Sequence, residues 1–207
     1  IIILMRLIFL VLLFKIKIVF GSDINYFKEI INSFDNIKGK FSQITLSEDG
    51  EQLDKAYGNF AFRKPNKFFW EHTKPYYHKL VGNGKTLISY DLELNQVIKR
   101  GYSNNIESSP LSILFDISKS EQFFSVNYKK ISDDQHELKF NPLKQDSNFL
   151  FFVIVFKNNR IKVINIVDLF RQKTSIELDY TKSELGLENE LFEFTIPNNA
   201  EVIEEDL

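Results

Sequence analysis

Hydrophobic and polar positions follow two different periods along this chain. Residues 23–34 repeat at helical spacing, and one stripe of that segment is entirely apolar. The stripe consists of Ile24, Phe27, Ile30, Ile31 and Phe34. Ser22 or Asp23 can cap the segment, because short oxygen-bearing side chains accept hydrogen bonds from the free N–H groups of a first turn. The pattern predicts one amphipathic helix.

After Gly39 the period changes to two, which is typical of half-buried strands. Turn-forming residues separate most of these segments, and Gly82-Asn83-Gly84 is expected to be a hairpin turn because no helix follows it. Ten or more strands at hairpin spacing predict one antiparallel sheet, curled or closed. The predicted strands are 41–46, 56 to the turn at Pro65, 67–72, 77–81, 86–91, 96–100, 124–131, 137–141, 149–156, 161–168, 174–180 and 192–196.

One segment, residues 108–124, interrupts the strand pattern. Ser109 is a candidate N-cap, and Pro110 suits a first helical position, where its missing N–H costs nothing. A short apolar face follows, which predicts one or two short helices. Helices in a mainly β chain must pack on the concave face of the sheet, so we expect this segment and the N-terminal helix to form a lid. The apolar face consists of Leu111, Leu114 and Phe115.

The first 21 residues differ from the rest. A positive start at Arg6 precedes an apolar run from 7 to 14, and small residues lead up to Gly21. This order predicts a secretory signal peptide cleaved before the next residue. Lys15 and Lys17 interrupt the apolar stretch, which makes a membrane-spanning helix the weaker interpretation; an uncleaved anchor is the alternative.

Removal of residues 1–21 leaves residues 22–207, which we interpret as a single domain because they show no repeat, low-complexity tract or linker. The net charge changes from −2 to −5, since 23 basic and 28 acidic residues are left. An acidic exported protein has neither the basic surface that nucleic acid requires nor a polybasic patch for anionic lipid. We therefore predict no nucleic-acid partner.

The composition favours a sheet and excludes thiol chemistry. The chain holds 21 Phe but only 3 Ala, and bulky aromatic side chains suit strands whereas Ala suits helices. It contains no Cys, so disulfides, thiolate metal sites and a lipid-modified N-terminal Cys are excluded.

No signature of catalysis is present in the sequence. It lacks G-x-S-x-G, H-E-x-x-H and a phosphate-binding loop, so we predict neither an enzyme nor a cofactor. Its histidines are His72, His78 and His136. His72 and His78 flank Pro75 on neighbouring predicted strands and can approach each other, but no third ligand is suggested. Two rim histidines are therefore a better interpretation than a metal site.

The apolar faces of the helix and strands allow two interpretations. Any one Phe is best explained as part of a packed core. The functional alternative is a barrel-like sheet that encloses more apolar surface than its helices fill, which is a common way to carry apolar ligands.

Two cations lie in the most aromatic run, FAFRKPNKFFWE (60–71). If the strand alternation holds up to Pro65, Lys64 shares the apolar face with Gly58, which leaves room there, and Arg63 faces water. Lys64 then needs acceptors, and helix C-terminal carbonyls of the lid are suitable. If the strand frays before Pro65, both cations are solvated.

Five segments of the chain match motifs of one known family: FRKPNKFFWE (62–71), LVGNGKTLISYDLELNQV (80–97), SSPLSILF (108–115), DLFRQKTSIEL (168–178) and LENELFEFTIPNNAEVI (187–203). Together they resemble the LolA family of periplasmic outer-membrane lipoprotein carriers. No single motif is specific, but together they span nearly all of residues 22–207.

The resemblance implies a mainly β (α+β) fold, namely an incomplete antiparallel β-barrel of about ten or eleven strands with a lid of short α-helices over a hydrophobic cavity. It implies a monomeric periplasmic chaperone without enzymatic activity. Such a chaperone takes acyl chains of outer-membrane lipoproteins from an inner-membrane ABC exporter and delivers them to an outer-membrane receptor. The alternative is a lipid- or lipoprotein-sensing regulatory domain on the same half-barrel.

The resemblance also implies roles for particular residues. In the family, an Arg directly before the Pro holds the lid closed; Lys64 has that position here and Arg63 precedes it, so both are candidate lid-latch residues. Lys lacks the planar fork of Arg and makes fewer fixed bonds. Phe68 and Trp70 match the family's aromatic and Trp. The predicted ligand-binding residues are Phe60, Phe62, Phe68, Trp70, Leu111, Leu114 and Phe115.

Overall fold

The computed structural model describes residues 20–102, 110, 117–144, 147–182 and 186–205. These ranges contain helix α1 (Phe20–Asn32), two 3₁₀ helices (Ile117–Gln122 and Asn189–Phe192) and twelve strands. The strands are β1 (Asn36–Leu46), β2 (Gln52–Arg63), β3 (Lys67–Lys74), β4 (His78–Gly82), β5 (Thr86–Asp91), β6 (Gln96–Gly101), β7 (Phe124–Lys130), β8 (Gln135–Pro142), β9 (Phe149–Lys157), β10 (Arg160–Asp168), β11 (Lys173–Lys182) and β12 (Glu201–Glu205).

All twelve strands belong to one unclosed sheet, in the order β12-β6-β5-β4-β3-β2-β1-β11-β10-β9-β8-β7. Most neighbours are consecutive strands joined by hairpins, as the short spacing predicted. In the Gly82-Asn83-Gly84 turn, the side chain of Asn83 accepts hydrogen bonds from the backbone N–H groups of Lys85 and Thr86, each at 2.9 Å. The predicted incomplete barrel is confirmed.

Two sequence predictions about the C-terminal region are wrong. Residues 192–196 form no strand, because Phe192 and Phe194 pack onto the outside of the sheet rather than pairing with it. The last strand is β12, and it pairs parallel to β6, so the sheet is not purely antiparallel. Oppositely charged side chains align this pair, including Lys99–Glu204 at 3.1 Å and Arg100–Glu205 at 2.6 Å.

Helix α1 lies inside the curl of the sheet. Its Phe27 contacts the rings of Tyr128, His136 and Phe156, with centroid distances of 5.6, 5.2 and 4.6 Å. The described members of the stripe, Phe27, Ile30, Ile31 and Phe34, pack in the core as predicted, although the helix runs from Phe20 to Asn32 rather than from 23 to 34. No helix within the described ranges combines the length and apolar character that crossing a membrane requires.

A second, smaller apolar cluster lies on the opposite face of the sheet. We call it the outer cluster. In it, the C-terminal segment covers the outer sides of β2, β3 and β4, a contact that the sequence analysis did not predict. The buried members are Ala61, Phe69, Val81, Leu187 and Phe192.

Because Gly58 has no side chain, the backbone of β3 and the ring of Phe41 approach it closely, and no space is left there. A Cβ at this position would lie 1.9 Å from the carbonyl oxygen of Glu71 and 2.5 Å from ring atoms of Phe41. The expectation of room on the apolar face at Gly58 is therefore wrong, because the Phe41 ring occupies that room.

Candidate functional site

Four aromatic side chains on β2 and β3 line the interior of the curl, and we call them the aromatic wall. They lie in two directly opposed pairs, Phe60 with Trp70 and Phe62 with Phe68. The ring centroids of these pairs are 5.6 and 6.4 Å apart, and each side chain is at most 5% exposed. The alternation of β2 and β3 thus places all four predicted residues on one surface. The lid residues Leu111, Leu114 and Phe115 lie outside the described residues.

Helix α1 covers part of this interior. Its Phe27 and Ile31 belong to the same buried cluster as the aromatic wall, and Ile30 packs against that cluster. Side chains of the protein itself therefore occupy this part of the interior. A large apolar ligand that entered this part of the interior would have to displace these side chains.

Lys64 joins the β2 end of the wall to the C-terminal end of α1. Its Nζ donates a hydrogen bond to the backbone carbonyl oxygen of Ile31 at 2.8 Å. The last four carbonyls of a helix lack intrahelical partners, and α1 has no basic residue in its last turn. Lys64 therefore supplies the positive charge that stabilises a helix C-terminus.

This contact agrees with the sequence prediction that Lys64 faces the apolar side and binds a helix carbonyl. The predicted acceptors near Leu114 and Phe115 lie outside the described residues; the acceptor that the structure describes is on α1. We call the Lys64–Ile31 contact the latch.

Arg63 lies on the opposite face, as the alternation predicted, but the expectation that it faces water is wrong. Its guanidinium donates to the carbonyl oxygen of Leu187 at 2.7 Å and to the side chain of Asn189, and it lies 4.7 Å from the ring centroid of Phe192. The physical reason is that the C-terminal segment covers this face. Arg63 holds the outer cluster in place, whereas Lys64 contacts α1.

A cavity of about 260 Å³ opens next to the aromatic wall. It lies among β1, β3, β4, β10 and β11 and is mostly apolar. Pro110, from the predicted lid segment, also contributes to its lining. The apolar strand residues around it are Trp70, Leu80, Ile164, Ile166 and Ile176.

His72 and His78 line the same cavity, and we call this pair the histidine corner. They are directly opposite on β3 and β4, with ring centroids 6.0 Å apart, which confirms their predicted approach. His78 Nε2 lies 2.8 Å from Ser89 Oγ, whereas buried His72 Nδ1 has no hydrogen-bond partner among the described residues. The described ranges contain no group of three His, Cys, Asp or Glu side chains positioned to hold a metal.

Burial lowers the pKa of both histidines, because desolvation disfavours the charged imidazolium. The neighbouring charge of His78 lowers the pKa of His72 further, and Asp54 opposes both effects. Asp91 likewise raises the pKa of His78, by less than burial lowers it. The histidine corner is therefore biased toward two neutral imidazoles.

Acidification is expected to destabilise the fold through these two groups. Their pKa values lie below that of an unfolded His, about 6.5, so the unfolded chain binds more protons in the interval between the two values. Their contribution to the stability of the fold is complete above about pH 6.5, the pKa of an unfolded His. It is lost as the pH falls from there through the lowered pKa values of the folded state. We expect a lower Tm at pH 5.5 than at pH 7.5 by differential scanning fluorimetry. In the double variant His72→Gln/His78→Gln this dependence should be weaker; an unchanged dependence would contradict the assignment.

Comparison with known proteins agrees with this geometry. A curled, unclosed sheet around an apolar interior and a helix defines a half-barrel suited to apolar ligands. The family model LolA, described as outer membrane lipoprotein carrier protein LolA, matches residues 32–195. The chain therefore belongs to the LolA family, and the resemblance stated from its motifs is confirmed.

Two relatives and one solved structure illustrate the match. The chain is 30% identical over 181 residues to the outer-membrane lipoprotein carrier protein of Cupriavidus pinatubonensis, covering 86% of this chain and 85% of that one. It is 30% identical over 176 residues to the protein of that name from Neisseria meningitidis serogroup B, covering 85% and 84%. An uncharacterized conserved protein from Thermus thermophilus shares the fold, with a TM-score of 0.55, 11% identity and coverage of 88% and 99%.

Proposed function

We propose that this protein is a periplasmic chaperone for lipoproteins. It accepts their acyl chains from an inner-membrane ABC exporter, holds them inside the half-barrel and delivers them to an outer-membrane receptor. The observation that carries this proposal is an apolar interior covered by one helix, which a hydrogen bond ties to the aromatic wall. Membership of a family of carriers favours this role over a sensing domain or an enzyme.

The energetics of the interior suit a carrier that releases its cargo. Each buried methylene contributes about 0.8 kcal/mol, so acyl chains that entered an empty, preformed cavity would bind too tightly to be passed on. Here Phe27 and Ile31 already fill part of the interior, and cargo must displace them. Displacing packed side chains offsets part of the gain and lowers the net affinity.

The proposal can be tested by mass spectrometry of the protein purified from the periplasm without detergent. We expect co-purifying triacylated lipoproteins, which an unrelated periplasmic protein purified in parallel does not retain. In a second arm, the purified protein is added to spheroplasts and newly made lipoproteins are measured in the soluble fraction. If neither arm yields lipoprotein, the carrier function is wrong.

The N-terminal segment is proposed to be a signal peptide removed after Gly21. This cleavage point lies in the first turn of α1, so the processed helix would begin near Ser22. N-terminal sequencing of periplasmic protein is expected to start at Ser22. The variant Gly21→Leu should block processing, because signal peptidase requires a small residue there. Protein that retains Met5 in the membrane fraction would contradict cleavage.

A further inference from the structure

The histidine corner is the polar end of an otherwise apolar cavity. His72 and His78 lie at the ends of β3 and β4 that adjoin the turn between these strands, and Gln43 of β1 is a third polar residue in the lining. The rest of the cavity lining consists mainly of isoleucines from β10 and β11, together with Trp70 and Leu80. A ligand that fits must combine an alkyl chain with a polar group.

His72 has unused hydrogen-bonding capacity at this position. Its buried Nδ1 has no hydrogen-bond partner among the described residues. Its ring packs edge-on against the ring of Phe41, with centroids 5.1 Å apart. This packing gives Nδ1 no hydrogen bond. Buried polar atoms in native proteins are almost always paired, and leaving one unpaired costs about 1–3 kcal/mol. The ring that carries this nitrogen borders the cavity, so a small rotation of the ring would let a ligand supply the missing partner.

The second imidazole is oriented by its neighbour. The hydrogen bond between His78 Nε2 and Ser89 Oγ fixes the ring of His78 beside that of His72. The two rings therefore lie side by side as a preorganised pair in the lining of the cavity.

The charge of the lining decides which polar group fits. The described lining contains no Lys or Arg, and burial biases both imidazoles toward their neutral forms. A phosphate or a free carboxylate would therefore be buried without a compensating cation, which is costly. A neutral carbonyl oxygen, in contrast, needs only a hydrogen-bond donor, and a neutral imidazole N–H supplies one.

We propose that the histidine corner binds the carbonyl oxygen of an ester-linked acyl chain, and that the chain lies along Trp70, Leu80 and the isoleucines of the cavity. This assignment rests on the proposed carrier function, because it takes the lipid part of the cargo as the ligand. The volume of about 260 Å³ is slightly below the usual range for ligand sites, about 300–1,000 Å³. It therefore holds one carbonyl and the chain segment next to it.

A pair of matched lipids tests the proposal directly on the processed protein. Monolauroylglycerol carries the ester carbonyl, and its ether analogue, dodecylglycerol, lacks it. Isothermal titration calorimetry below the critical micelle concentrations should show that the wild-type protein binds the ester about threefold to tenfold more tightly, the value of one neutral hydrogen bond. Equal affinities, or tighter binding of the laurate anion than of the ester, would overturn the proposal.

Substitutions of the histidines test whether the preference for the ester over the ether arises at the histidine corner. His72→Phe and His78→Phe should each reduce the ester preference while ether binding is kept, and His72→Gln should retain part of it through its amide donor. His136→Phe is the matched control, because His136 bonds to the hydroxyl of Tyr128 at 2.9 Å and is not part of the described cavity lining. An ester preference that survives in both Phe variants excludes the histidine corner. The wild-type comparison does not depend on whether a variant folds.

The outcomes separate this inference from the carrier function. If the wild-type protein releases lipoproteins from spheroplasts but shows no ester preference, the inference fails and the carrier function stands. If it neither releases lipoproteins nor binds either lipid, both fail.

Discussion

Replacing Lys64 with leucine is expected to leave lipoprotein acceptance near its normal rate but to slow onward transfer about tenfold or more. The change removes the latch, the 2.8 Å hydrogen bond from Lys64 Nζ to the carbonyl oxygen of Ile31. That bond exists in the conformation where side chains of α1 occupy the interior, which we assign to the empty carrier. It therefore favours the empty state over the loaded one.

The expected size follows from the strength of such a contact. Hydrogen bonds to charged groups contribute about 1.5–3 kcal/mol, and every 1.4 kcal/mol is a tenfold change in an equilibrium. Without the latch, the loaded state gains stability relative to the empty state by about that amount, so cargo is retained longer. Acceptance, in which cargo displaces side chains of α1 from the interior, is not hindered.

The measurement separates the two steps. Acceptance is followed by release of lipoproteins from spheroplasts, and onward transfer by incorporation of the bound lipoprotein into outer-membrane vesicles. Lys64→Arg should transfer nearly as well as the wild type because it keeps a donor, and Lys40→Leu controls for loss of an exposed lysine on β1. Normal onward transfer by Lys64→Leu would show that the latch has no role in release.

Arg63→Ala is a separate case. The sequence alone placed Arg63 toward water, but Arg63 binds Leu187 and Asn189 of the C-terminal segment. We now expect this variant to loosen the outer cluster, with a lower Tm, while α1 keeps its own hydrogen bond to Lys64.

Phe62→Glu is expected to reduce lipoprotein acceptance more than any other single change, to near the background level. Phe62 is 3% exposed, and its ring lies among Phe60, Phe68 and Trp70 of the aromatic wall. A carboxylate there would meet acyl chains without a partner, at a cost of several kcal/mol. Phe62→Leu is the matched control, because it keeps an apolar side chain and should accept lipoproteins nearly normally.

Photocrosslinking tests the same site without placing a charge in the core. A photoreactive phenylalanine at position 62 should label lipoprotein during acceptance. The same group at position 59 should not, because Asn59 lies on the opposite face, where it bonds to Glu71 at 3.2 Å. Equal labelling from both positions, or labelling only from 59, would place the cargo elsewhere. This measurement also decides the matter if circular dichroism shows Phe62→Glu to be unfolded.

The local signals in the sequence were sufficient for most of the half-barrel. Alternation along β2 placed Phe60 and Phe62 on one face and Arg63 on the other, since successive side chains of a strand point to opposite sides. The apolar stripe at helical spacing placed Phe27 and Ile31 in the core. These features depend only on the period of a single element, and so they can be predicted before any partner is known.

Apart from the bounds of α1, the errors concern contacts between different elements of the fold. Residues 192–196 alternate like a strand, yet Phe192 packs on the outer cluster and the strand forms at Glu201–Glu205 instead. Nothing in the local pattern distinguishes a side chain that packs on a sheet from one that belongs to a strand. The C-terminal segment also removed Arg63 from water, and the ring of Phe41 filled the space above Gly58.

The sequence by itself therefore determined the kind of elements, the face on which each side chain lies and the family to which the chain belongs. Only the tertiary structure decided that Lys64 bonds to Ile31 of α1, and that His72 and His78 border one cavity together with isoleucines almost a hundred residues further along the chain. Periodicity is a property of neighbouring residues, whereas a helix carbonyl within reach of a lysine, or an unpaired nitrogen beside a cavity, exists only after the sheet has curled.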